Sequence, residues 1–234
     1  MPSDIDTRVT PSLHPLNVQE IDGYDKSTAP YLAATDTAFS AAYEGLLAVH
    51  DARTVANKNP AWNEEQRIVQ VSKFAEKKLD QITRGLDKAR GDLLKNIEQV
   101  ERELTAPIEA KAVGNLAAEI RAHVKGLPTA ERHAFVMEAV NGLDSVTVGA
   151  LLGAPAYLSG VSVEMQKVYL RQYRGVMAPE LSLRLKAMQN AVAMIDERGR
   201  LVFAEMEKAV GAPPNRAAAL RKAHEAASKA LELT

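Results

Sequence analysis

The sequence predicts an all-α fold, and three observations carry that prediction. Apolar residues fill 46% of the 234 positions but aromatics only 5%, and much of the apolar share is Ala. That composition favours helices packed at short range over a sheet. Two segments repeat apolar side chains at helical intervals for many turns, and no stretch reads as a sheet strand. The expected architecture is an elongated, coiled-coil-like hairpin of long helices with short capping helices and an extended N-terminal arm.

Taken in order, residues 1–29 are rich in Pro, Ser, Thr and Asp without a period, so they are expected to form the arm. A helical domain over residues 30–211 follows. Its first helix begins in "STAPYL", with Pro30 in the first turn where a missing N–H costs little, and runs to about Val55. "NKNP" ends it. The first long amphipathic helix, residues 60–112, opens with Asn59 or Asn63 as N-cap and with Glu64 and Glu65 in the favourable first turn. Its stripe is Ile68, Val71, Ala75, Leu79, Ile82, Leu86, Ala89, Leu93, Ile97, Val100, Leu104 and Ile108, spaced by threes and fours with a mean near 3.6. A helix over that span is about 75 Å long at 1.5 Å per residue. Pro107 is expected to kink it near its end.

A short helix over residues 130–140 is expected next, capped by Thr129 and broken by "NGLD". Then comes "SVTVGALLGAPAYLSGVSV", nineteen positions from 145 to 163 without a charge in a chain that is 25% charged. Its glycines, Pro155 and its hydroxyl residues argue against a membrane span. The expectation is a buried connection: a helical turn or two around "VTVGALLG", a turn at "GAP", and Tyr157 and Leu158 packed against the long helices. Burial explains the missing charge, because an unpaired charge is expensive to bury. Docking into a partner is the other reading, since exposed contiguous apolar surface marks interfaces. Ser162 caps the second long helix, residues 162–211, which Gly175 and Pro179 interrupt once. Beyond them Leu181, Leu185, Met188, Val192, Ile195, Gly199, Val202 and Met206 form a heptad seam. "VGAPPN" stops it, and an Ala-rich C-terminal helix occupies residues 214–234.

The search for chemistry returns no catalytic, cofactor-binding or metal-ligating residues. The net charge is −1, made of four basic against eight acidic residues in 1–59, ten against ten in 60–112, and fifteen against twelve in 113–234. None of these is the one-sided basic footprint of a nucleic-acid binder. There is no cysteine, hence no disulfide, thiolate metal site or thiol nucleophile, as suits a reducing compartment. The N-terminus lacks the basic and apolar regions of a secretion signal. His14, His50, His123, His133 and His224 show no zinc-ligand spacing. Glu131, His133 and Glu138 resemble an acid–base cluster, but nothing beside them supplies a nucleophile or an oxyanion site. No phosphate-cradling glycine motif occurs, and Ser159–Gly160 reads as a turn rather than a hydrolase elbow. The charges of residues 64–111 read as a solvated helix face with opposite-sign pairs such as Asp80 and Arg84.

Three segments together, "SKFAEKKLDQITRGLDKARGDLLKNIE", "AAEIRAHVKGLPTAERHAFVMEAV" and "GALLGAPAYLSGVSVEMQ", resemble a group of all-helical proteins encoded by tailed bacteriophages and prophages. The resemblance covers residues 60–200. It implies a viral gene product made in the host cytoplasm and carried in the virion, and it supplies no activity, cofactor or site residue. The function expected is therefore non-enzymatic: a virion structural protein working through helical contacts with other virion proteins or with copies of itself. A scaffolding or ejected internal protein, and a regulator that binds a host protein, are the alternatives.

Overall fold

A computed structural model describes residues 6–232. Among them are ten α-helices and two 3-10 turns, with no strand. The α-helices are α1 (Ala29–Asn57), α2 (Glu64–Glu109), α3 (Asn115–Gly126), α4 (Thr129–Asn141), α5 (Ser145–Leu152), α6 (Ala156–Ser159), α7 (Val163–Met177), α8 (Pro179–Arg198), α9 (Leu201–Val210) and α10 (Pro214–Glu232). They form two compact units: residues 6–94 together with 187–232, and residues 95–186. Both α2 and α8 contribute residues to each unit.

The larger unit is built on α1, the first part of α2, the end of α8, and α9. Asn63 and Gln66 cap α2 reciprocally: the Gln66 N–H donates to Asn63 Oδ1 at 2.9 Å and the Asn63 N–H to Gln66 Oε1 at 3.2 Å. Along the whole of α2 every residue of the expected stripe is buried except Leu79, which is half-buried. Pro107 stands inside the helix two residues before its end. The second seam is not continuous. The helical run breaks at Ala178 and again at Gly199–Arg200, giving α7, α8 and α9. On α8 the buried face is Ala187, Met188, Ala191, Met194 and Ile195, while Leu181, Leu185 and Val192 of the heptad are only half-buried. Ala187 and Ala191 thus join the heptad residues Met188 and Ile195 on that face.

The extended arm is a correction. Over the described residues, the segment before α1 folds as 3-10 turns at Pro11–Leu13 and Pro15–Glu20, burying Val9, Leu13, Val18 and Ile21. Arg8 pairs with Asp51 of α1 at 2.6 Å, the Tyr43 hydroxyl donates to the Asp6 carbonyl at 2.8 Å, and the Thr10 N–H donates to Glu205 of α9 at 3.1 Å. Short 3-10 turns bury side chains without the 3.6-residue period that marks a helix. Residues 1–5 of the expected arm lie outside the described residues.

The smaller unit packs α3 to α7 with the last part of α2. Its core joins Ile108, Val124, Val136, Val140, Val148, Leu151, Leu152, Val161 and Tyr169, among others. The uncharged stretch runs through the middle of it: Thr147 to Leu152 of α5 are buried without a gap. A helix buried all round has no solvent face on which to carry a charge. Tyr157 and Leu158, expected to be packed, are instead exposed, Tyr157 by 72%. On the single turn of α6 the buried side chains are Ala156 and Ser159, three apart on one face, and the two residues between them point away. Among the described residues, no helix is long and apolar enough to cross a membrane.

Two glycines let α5 lie against the backbone of α2. A Cβ on Gly153 would stand 2.6 Å from the Ile108 carbonyl oxygen, and one on Gly149 would stand 3.1 Å from the same oxygen and overlap the Lys111 side chain. Gly153→Ala should therefore lower stability by about 2–3 kcal/mol, as overpacking does. Gly175→Ala should raise it by about 0.5–1 kcal/mol, because that glycine lies inside α7 with open space where the methyl would go. Urea midpoints of the two variants check the opposite signs.

Candidate functional site

Short helices leave many unpaired ends, and in the smaller unit polar side chains close them. The first four N–H groups and last four carbonyls of a helix lack intrahelical partners. Asp144 precedes α5, and its carboxylate accepts the N–H groups of Val146 and Thr147, each at 3.1 Å. The Thr147 hydroxyl first, then the Thr147 N–H, holds the Asp144 carboxyl below the usual carboxylate range. At the other end of α5, Gln166 of α7 donates to the carbonyls of Leu152 and Ala154 at 3.0 and 2.7 Å. Arg121 of α3 donates to those of Ala150 and Ala112 at 3.0 and 2.7 Å.

Arg132 of α4 is the largest of these clamps. Its Nε donates to the Val124 carbonyl at 3.1 Å, Nη2 to Lys125 and Leu127 at 3.0 and 2.9 Å, and Nη1 to Gly160 at 2.6 Å. One planar fork thus closes the end of α3 and ties it to the residue that ends α6. Thr129, expected to cap α4, sits one residue inside it instead. Pro128 holds the cap position, and no side chain bonds there.

Neighbouring residues in sequence do not form the acid–base cluster. Glu131 and Glu138 are exposed, while His133 Nδ1 lies 2.7 Å from the Tyr169 hydroxyl. Burial raises the Tyr169 pKa, so the phenol stays protonated beside the imidazole. His14 accepts the Leu16 N–H and meets the Tyr43 ring edge-on, and His123 meets Phe135 the same way. Burial pulls the His50 pKa down. No three His, Asp or Glu side chains converge on a metal-sized site among the described residues.

The feature with ligand-binding character is a pocket of about 280 Å³ in the smaller unit. Leu104, Pro107 and Ile108 of α2, Tyr173 and Met177 of α7, and Leu181 of α8 make its apolar wall, with Arg174, Lys111, Ser145 and Glu103 among the rest of its lining. Arg174 Nη2 donates to Thr105 Oγ1 at 2.6 Å, while its buried Nε has no partner. Burial pulls the guanidinium pKa down, against the fields of Glu101 and Glu109. Lys111 Nζ donates to Ser145 Oγ at 2.6 Å. Size and lining fit a small apolar group bearing one acceptor end.

Nothing in the residue pattern singles out Arg132 beside its neighbours Glu131 and His133. The usable signal was the shortness of the helices around it, which demands donors for their last carbonyls. Nothing in the pattern separates Arg174 from Arg171. Compared with protein-family profiles, curated proteins and solved structures, the chain finds no match.

Two substitutions probe the clamps. Arg132→Lys keeps the charge but not the fork, and should cost about 2–4 kcal/mol in chemical denaturation as several carbonyls lose their donor. Asp144→Ala should cost about 1 kcal/mol at pH 7. The carboxyl's folded pKa is depressed, so the cap contributes fully above the unfolded value near 3.9 and fades as pH falls through the lower folded value. The gap between parent and Asp144→Ala melting temperatures should shrink over that acid range.

Proposed function

We propose that the chain is a non-enzymatic structural component of a tailed-phage particle, acting through helix-borne contacts with other particle proteins or with copies of itself. The observation that carries this reading is apolar surface left in water on the smaller unit. Val113, Tyr157, Leu116 and Val163 are exposed by 78%, 72%, 61% and 53%. Aromatic side chains presented this way are the usual anchors of protein interfaces. The resemblance of residues 60–200 to helical phage proteins supplies the particle as the setting.

The reading also keeps the hairpin of long helices as its mechanical element. The ion pair between Arg90 of α2 and Asp196 of α8, at 2.6 Å, supports such pairing in the larger unit. Exposed pairs of this kind contribute under about 1 kcal/mol, so apolar packing holds the helices and the charges help set register.

Mass spectrometry of purified particles should find this chain in stoichiometric copy number. In light scattering the purified chain should self-associate or bind an isolated particle protein, and Tyr157→Ala should weaken that contact at least tenfold. A chain absent from particles and monomeric with every particle protein offered would overturn the reading.

A further inference from the structure

The pocket between α2, α7 and α8 in the smaller unit has a use that assembly does not explain. Its apolar wall is continuous over three helices, from Leu104 and Ile108 to Met177 and Leu181. Both cations lining it are held by hydroxyls rather than by carboxylates: Arg174 by Thr105, and Lys111 by Ser145. The Arg174 Nε is buried with no acceptor. A guanidinium drawn partly out of water without a carboxylate is a costly arrangement, and an oxyanion brought from outside removes the cost.

We propose that this pocket binds a small anionic amphiphile, a carboxylate on an apolar chain, with the head on Arg174 and the chain along Leu104, Ile108 and Met177. The three acidic neighbours do not supply that head. Glu103 accepts from Gln99 at 2.9 Å, and Glu101 and Glu109 act on Arg174 only through space. All three are exposed, where water and salt screen them. Volume sets the size of the ligand. A protein cavity of about 150 Å³ suffices for benzene, so 280 Å³ takes an unbranched chain of medium length. Arginine suits a carboxylate because its fork offers two parallel N–H donors. The proposal does not depend on where the protein works.

Calorimetry on the full chain tests it with octanoate, with 1-octanol as the same chain without charge, and with acetate as the same head without a chain. One octanoate should bind per protein, at least tenfold tighter than either comparator. Arg174→Gln should weaken octanoate at least tenfold and leave octanol unchanged. In the unaltered protein, the methyl resonance of Met177 should shift on adding octanoate while those of Met188 and Met194, in the core of the larger unit, stay in place. Octanol binding as tightly as octanoate, saturation without movement of Met177, or no octanoate binding would each overturn the proposal.

Discussion

The smaller unit depends on one constraint: a set of short helices cannot bury its apolar faces unless the backbone groups at the helix ends are satisfied as well. The longest of α3 to α7 has fifteen residues and the shortest four, so a large share of their peptide groups lie at termini. Water cannot reach the ends that face the core. Arg132, Arg121, Gln166 and Asp144 reach them instead, and their long or flexible side chains keep some solvent access while their polar heads meet the backbone. The uncharged α5 can sit at the centre because its neighbours supply partners for the backbone groups at its ends.

The same constraint explains how the uncharged stretch coexists with a highly charged chain. Charge is not absent around α5. It is supplied by arginines on α3 and α4, each holding carbonyls rather than carboxylates. Arg174 differs from those two in holding a hydroxyl, Thr105 Oγ1, rather than carbonyls.

Much of the helical layout was legible in the sequence because it is a matter of period. The α2 stripe from Ile68 to Ile108 repeats often enough to average out local irregularity, and its buried side is as expected at all positions but Leu79. Ser162, as the cap of α7, was legible from local chemistry. The failures lie where period carries no information. Val9, Leu13 and Val18 are buried from 3-10 turns. Tyr157 is turned outward because one helical turn offers only one inner face. On α8 the inner face keeps Met188 and Ile195 of the heptad but adds Ala187, Ala191 and Met194, while Leu181, Leu185 and Val192 are only half-buried. The pocket was not legible at all: its lining comes from residues 103 to 181, brought together only by the fold.

The C-terminal helix α10 is held largely by exposed ion pairs. Of its described side chains only Ala217 is buried. Arg216 reaches Glu64 at 3.0 Å and Arg221 reaches Glu76 at 2.7 Å, over a shallow apolar groove lined by Ala75, Leu79 and Met206. Surface ion pairs weaken as dissolved ions crowd around them, whereas apolar contacts do not. The grip on α10 therefore varies with the ionic medium, and the groove beneath it is uncovered most readily in concentrated electrolyte.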